Sequence, residues 1–218
     1  MKSIGSAIVC IILAISLDGA FGQSDLLFYD PAAGQGEFYS TDGSGNIGLL
    51  DASDGWRRTW SMIIPGSFNG DGYTDLLFYD PAAGQGEFYS TDGSGNIGLL
   101  KRHDGWRRTW SIIVPGNFNG DGYTDLLFYD PATGQGEFYS TDGSGNIGLL
   151  KRHDGWRRTW SIILPGNFNG DGYTDLLFYD PAAAQGEFYS TDGSGNIGLL
   201  KRHDGWRRTW SEIVPGNF

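Results

Sequence analysis

Short hydrophobic runs recur along the chain at a spacing that suits β-strands. In one stretch they are Ser111 to Val114, Leu126 to Tyr129, Gly136 to Thr141 and Ile147 to Leu150, separated by glycine-rich or Asp-Pro turns. Ile112-Ile113-Val114 and Leu126-Leu127-Phe128-Tyr129 are apolar at both alternating positions, so each strand needs cover on both faces, as between stacked sheets. The β-branched, aromatic and glycine content, with 36 Gly in all, argues against helices.

The pattern repeats every 50 residues almost letter for letter: DLLFYDPAAGQGEFYSTDGSGNIGLL at Asp25 returns unchanged at Asp75 and with one change each at Asp125 and Asp175. Four strands per period make one propeller blade, so the expected fold is all-β, a β-propeller of four 50-residue, four-stranded blades. A β-solenoid is the competing repeat fold, but its coils are usually shorter.

Between the first two runs lies NFNGDGYTD, Asn117 to Asp125. Asn117, Asn119, Asp121 and Asp125 supply side-chain oxygens at positions 1, 3, 5 and 9, Tyr123 can offer its carbonyl at position 7, and Gly122 permits a sharp turn. Hard oxygen donors at this spacing suit calcium. An EF-hand would need Glu at position 12, where Phe128 stands. The stretch resembles instead the calcium loop of FG-GAP and VCBS repeats, which runs D-x-[DN]-G-D-G-x-x-D into an apolar strand. The departure is position 1, Asn117 and Asn167 in two copies and Ser67 in another, each costing a formal charge. The resemblance implies up to three calcium ions, held by Ser67, Asn69, Asp71, Tyr73 and Asp75; by Asn117, Asn119, Asp121, Tyr123 and Asp125; and by Asn167, Asn169, Asp171, Tyr173 and Asp175.

In that family's blade the loop joins the first strand to the second. The repeat region, 23–218, would then open with strands two to four of a blade and end on a lone first strand, 211–218. Pairing of Ser211 to Val214 beside Leu26 to Tyr29 would close the ring and remove exposed edges. Glu212, which replaces Met62, Ile112 and Ile162, marks either an open edge or a position facing a wet central channel. Open arrays would assemble across chains.

Residues 1–22 carry Lys2, an apolar core from Ala7 to Leu17 and small residues at Ala20 and Gly22, the layout of a secretory signal peptide rather than of a spanning helix. The expected location is extracellular. Cys10, the single cysteine, lies inside that segment, so no disulfide is available to the repeats, and no Asn-x-Ser/Thr sequon occurs. A net charge of −11 argues against a general nucleic-acid or anionic-membrane binder.

Most of the basic charge sits in KRHDGWRRTW, Lys101 to Trp110, repeated at 151 and 201. Lys-Arg-His reads as a solvated turn between blades, and the Trp pair, four apart on one strand face, as packing between blades. The functional alternative is a repeated groove where a sugar ring stacks on tryptophan: Trp106, Arg107, Arg108, Trp110 and Tyr139, and again Trp156, Arg157, Arg158, Trp160 and Tyr189. Glycans or glycoproteins are the expected partners, in a binding or adhesion module strengthened by multivalency; a structural or protein-protein scaffold is the alternative. Asp130 with Glu137 is the one tempting pair for glycoside hydrolysis, but Asp130 precedes Pro131 as a turn residue and Glu137 begins a strand. No GxSxG, HExxH or phosphate loop occurs, and the chain is read as not an enzyme.

Overall fold

The computed structural model describes residues 24–216. The proposed signal segment, 1–22, and the last two residues of the expected closing strand lie outside the described residues. Fifteen strands follow one another: β1 Leu26–Asp30, β2 Gln35–Thr41, β3 Ile47–Asp54, β4 Met62–Gly66, β5 Asp75–Asp80, β6 Gln85–Thr91, β7 Ile97–Asp104, β8 Ile112–Gly116, β9 Asp125–Asp130, β10 Gln135–Thr141, β11 Ile147–His153, β12 Ile162–Gly166, β13 Asp175–Asp180, β14 Gln185–Thr191 and β15 Ile197–Asp204. Among the described residues there is no helix, and none long and apolar enough to cross a membrane.

Each period is a meander of neighbouring antiparallel strands. One sheet has three strands, β1-β2-β3, and the other three have four: β4 to β7, β8 to β11 and β12 to β15. The three-stranded first blade matches the expected opening, but residues 211–216 form no strand, so the expected closing strand is not seen. The chain divides into two compact units. The first holds the described residues up to Pro65 with Gly72–Arg108; the second holds Gly66–Asp71 with residues from Thr109 onward.

Period-2 alternation builds the core of each unit. In the second, Leu127 and Tyr129 of β9 point to the same side and meet Leu176 and Phe178 of β13, with Val114, Phe118, Phe138, Trp160 and Ile163 completing the cluster. The first unit repeats the arrangement with Phe38, Trp60, Ile63, Leu76 and Phe78, against which Leu27 and Tyr29 pack. The second strands β5, β9 and β13 are buried at all six positions, the double cover that their uninterrupted apolar runs require.

Two sequence expectations need correction. Lys101-Arg102-His103 is not a turn but the end of β7, with Arg102 opposite Glu87 and Lys101 opposite Phe88. The strand runs further than its apolar part because a β-bulge between Phe88 and Tyr89 lets the pairing continue past Leu100. The Trp pair, in turn, does not lie on a strand: Gly105 and Gly155, both at φ 77°, end the outer strands, and the segment to Trp110 or Trp160 is turn and loop.

Candidate functional site

The loop between β11 and β12 builds one wall of a cavity in the second unit. The Trp156 amide donates to the Gly134 carbonyl at 2.8 Å, pinning the chain over β10. Gly136 makes the close approach feasible, since a Cβ there would stand 2.3 Å from the Trp156 ring. The ring stacks on His153 with centroids 5.5 Å apart and meets Phe178 edge to face at 5.1 Å. Arg157 then turns back so that its guanidinium sits 4.8 Å over the buried Trp160 ring.

The opposite wall comes from the next blade. Alternation along β14 puts Glu187 and Tyr189 on one face, and the register of β15 sets Arg202 opposite Glu187. Glu187 is buried, and a buried carboxylate is costly unless paired. Its Oε1 receives Arg157 Nη2 at 2.7 Å and Arg202 Nε at 2.6 Å, while Oε2 accepts the Tyr189 hydroxyl at 2.6 Å. Burial first, then the hydrogen bond to Glu187 and its charge, push the Tyr189 phenol up to about 12. Asp180 stands 3.6 Å from Arg157, so two guanidiniums face two carboxylates and the wall carries no net charge. Between the walls is a cavity of about 230 Å³ lined by Trp156, Arg157, Trp160, Glu187, Tyr189 and Arg202, with Phe178 and Ile197 behind.

The first unit carries the same constellation. Arg57 lies 4.8 Å over Trp60, Trp56 meets Phe78 edge to face at 5.2 Å, Arg57 pairs with Glu87, and the Tyr89 hydroxyl donates to Glu87 at 2.7 Å.

Of the sugar-site residues expected from sequence, the structure brings Trp156, Arg157, Trp160 and Tyr189 together. Arg158 is placed elsewhere, its side chain over Gly134, and Arg108 lies likewise over Gly84. In the first unit Trp106 rests on Gly86, and the Arg107 carbonyl accepts the Tyr79 hydroxyl at 2.6 Å. In the second, Trp110 and Tyr139 both pack on Phe128, at 5.3 and 5.5 Å. Sequence reasoning missed Glu187 and Arg202. The available signal was a Glu flanked by apolar residues in a strand, an acid that must find a cation when buried. Asp130 does serve its turn, accepting the Ala132 amide at 2.8 Å and the Thr109 hydroxyl at 2.7 Å.

The NGDGYTD loops form a second constellation. Asp125 Oδ2 accepts the amides of Phe118 and Asn119 at 2.8 and 2.9 Å, and Oδ1 that of Thr141 at 3.1 Å. Burial pushes its carboxyl up to about 6. Asn117 Oδ1 accepts the Gly120 amide, Asn119 Oδ1 that of Asp121, and Asp121 Oδ1 that of Tyr123. Asn167, Asn169, Asp171 and Asp175 repeat these bonds with Gly170, Asp171, Tyr173, and Phe168 plus Asn169. In the remaining loop the Ser67 amide donates to Thr124, Asn69 and Asp71 bond each other, and the Asp75 carboxylate accepts the Thr91 amide. The Tyr123 ring sits over Gly70 and Gly143, and Tyr173 over Gly120 and Gly193, wedging neighbouring loops together. The donors are of the oxygen type that calcium takes, and with about four acceptor sites per carboxylate Asp125 keeps about one and Asp121 about two. The residues fit the ion with reduced capacity. Among the described residues no group of three or more His, Cys, Asp or Glu is gathered.

No family model matches the chain, and no curated protein sequence does. Solved structures of like fold do. A lectin of Agrocybe aegerita, described as recognising non-reducing terminal N-acetylglucosamine, superposes with a TM-score of 0.58 at 17% identity over 82% of this chain and 48% of its own. A protein from Lactobacillus plantarum gives a TM-score of 0.55 at 12% identity over 88% of this chain and 56% of its own. A Bacteroides fragilis protein provisionally described as a 6-phosphogluconolactonase gives 0.51 at 14% identity over 83% and 53%. The chain thus spans about half the length of these structures. They place its sheets among propeller-type blades, without support for FG-GAP or VCBS membership in particular. They also correct the expectation that the chain is not an enzyme. Proteins provisionally described as 6-phosphogluconolactonases share this fold, so the missing motifs do not exclude catalysis.

Proposed function

We propose that the chain is a secreted carbohydrate-binding module with a site at the blade junction inside each of its two units, and that each site takes a single neutral sugar ring. The cavity between Trp156, Trp160 and the Glu187 network carries this reading. Its exposed lining is mostly polar, with guanidinium and phenol groups for sugar hydroxyls, and Trp156 and Trp160, largely covered by His153, Gly136 and Arg157, stand beside them for a ring's carbons. Its volume of about 230 Å³ lies below the about 300–1,000 Å³ of pockets that enclose drug-sized ligands, which suits one ring. The balance of two guanidiniums against two carboxylates disfavours an anionic sugar. N-acetylglucosamine is the first sugar to try, since a lectin of like fold is described as recognising it.

The test is a glycan array followed by calorimetry, with and without calcium. Neutral terminal sugars should bind and their acidic counterparts should not. Tyr189→Phe, which removes one hydroxyl, should weaken binding a few-fold, and Trp156→Leu should abolish it at that junction. Turnover of sugar lactones without sugar retention would replace this reading with a catalytic one.

A further inference from the structure

The chain has three Asn-Gly steps, Asn69-Gly70, Asn119-Gly120 and Asn169-Gly170, at the same place in successive loops. Their asparagines are held alike. Each Oδ1 accepts the amide of the aspartate two residues on, at 2.9 Å from Asp71, Asp121 and Asp171, and each Nδ2 donates to that carboxylate, at 2.7, 2.8 and 2.7 Å. The glycines are not held alike. The Gly120 amide donates to Asn117 Oδ1 and the Gly170 amide to Asn167 Oδ1, both at 2.7 Å. In the remaining loop Ser67 takes that position, and its side chain, shorter than that of asparagine, leaves the Gly70 amide with no acceptor among the described residues.

We propose that Asn69 is a site of spontaneous deamidation, singled out from Asn119 and Asn169 by the uncapped Gly70 amide. The Gly70 nitrogen attacks Asn69 Cγ and closes a cyclic imide; the Cγ–Nδ2 bond breaks, and ammonia leaves with the proton that Gly70 gives up. Water then opens the imide at either carbonyl. Opening at Cγ leaves aspartate, and opening at the backbone carbonyl leaves isoaspartate, whose main chain runs through Cβ and Cγ. The net change is one water in and one ammonia out, with no oxidant or reductant. The loop supplies the rest of what the step needs. The Asp71 amide on Asn69 Oδ1 stands where negative charge develops during attack, and the Asp71 carboxylate against Nδ2 is the base at hand to relay the proton. Glycine at position 70 puts no Cβ in the way of its own nitrogen.

Because those aids are common to all three loops, the cap sets the difference in rate. A capped amide must first give up its hydrogen bond, so the uncapped step should run about two- to tenfold faster. Exposure would predict another order: Asn169 is exposed, whereas Asn69 and Asn119 are half-buried. Nor does aromatic cover separate the first two, since a Cβ at Gly70 would stand 2.9 Å from the Tyr123 ring and one at Gly120 3.0 Å from the Tyr173 ring. Either product adds a negative charge beside Asp71, which offsets the charge that Ser67 costs at position 1. Isoaspartate also lengthens the backbone of a loop that the Ser67 amide and carbonyl tie to Thr124 at 2.8 and 2.9 Å.

The test is to age the whole folded protein in mildly alkaline buffer made with heavy-oxygen water, so that only amides lost during ageing carry the label, and then to denature and digest it with trypsin. The three loops fall in peptides of different sequence, since residues 62–67, 112–117 and 162–167 differ. Labelled conversion at Asn69 should run about two- to tenfold ahead of Asn119 and Asn169, with isoaspartate at position 69 seen on peptide fragmentation. In guanidinium-unfolded protein the three rates should converge. Ser67→Asn should slow Asn69 to the pace of Asn119, and Asn117→Ser should speed Asn119 to that of Asn69. Each variant carries a residue that the same loop position already holds elsewhere in the chain, and an unchanged circular dichroism spectrum checks the fold; if one fails to fold, the other decides. Equal rates in the folded protein, a lead of Asn69 that persists when unfolded, or a lead that survives Ser67→Asn would each overturn the proposal.

Discussion

The Tyr189 hydroxyl donates to Glu187 at 2.6 Å, and this bond ties the cavity-lining phenol to a carboxylate that also holds two arginines. Burial and this neighbour push the phenol to about 12 from an ordinary 10.0, and Tyr89 beside Glu87 behaves alike. The folded-state value is raised, so the stability these phenols contribute is fully present below about 10 and is lost as pH rises through about 12. Ultraviolet titration should resolve these late phenols from the exposed ones. Glu187→Gln should move Tyr189 back toward 10 and, by leaving the arginines without their counter-charge, cost about 1–3 kcal/mol in denaturant unfolding.

Gly136 matters for what it lacks. Its backbone is under the Trp156 ring, and an added Cβ would stand 2.3 Å from ring carbons with the Gly134 turn holding the tryptophan in place. Gly136→Ala should destabilise by about 1–3 kcal/mol, the usual cost of overpacking. It should also displace Trp156 from the cavity wall, so tryptophan emission should shift to the red along with the loss of thermal stability. Gly148→Ala, where a Cβ meets one serine oxygen at 3.3 Å, should be milder in both readouts.

The blade was legible because its information is local. Apolar runs such as Leu126 to Tyr129, their glycine-rich separators and the 50-residue period each predict a strand or a turn without reference to the rest of the chain, and strand bounds fall within a few residues of those expected. The site was half legible. Trp156, Arg157, Trp160 and Tyr189 stand out by residue type, whereas Glu187 and Arg202 become site residues only through cross-strand register and the bulge at Phe188, which no period reveals. Arg158 shows the converse. It is adjacent to Arg157 in sequence, but the turn after Gly155 sends it to the far side, over Gly134.

Neighbouring loops are tied by a threonine that the sequence reading passed over. The Asn117 amide donates to the Thr174 hydroxyl at 2.8 Å, and the Thr174 amide donates back to the Asn117 carbonyl at 3.0 Å. Thr174→Val keeps the shape and the backbone bond but leaves the Asn117 amide without its acceptor. The expected loss is about 1–3 kcal/mol, read by urea unfolding. Amide exchange at Asn117 should quicken with it, while Thr159→Ser, remote from the loops, should leave that amide unchanged.

Calcium should act on these loops weakly and through stability alone. Each loop supplies two aspartates, and their oxygens already accept backbone amides, so the expected dissociation constant is in the ~10⁻⁴ to 10⁻³ M range of extracellular modules. At 1 mM calcium such affinities stabilise by about 0.4 to 1.4 kcal/mol per site, enough for a measurable rise in melting temperature. The Ser67 loop should be weakest, with a hydroxyl in place of an amide oxygen at position 1. Asp121→Asn is the discriminating variant, because Asp121 is exposed and its replacement should change the calcium-free stability by no more than about 0.5 kcal/mol. Its loop should then stop responding to calcium, one heat of binding should disappear from the calorimetric trace, and magnesium should reproduce neither effect. If calcium shifts neither the melt nor the heat in the unmodified protein, the loops are hydrogen-bonded turns held by Asp125 and Asp175, and the metal leaves the account.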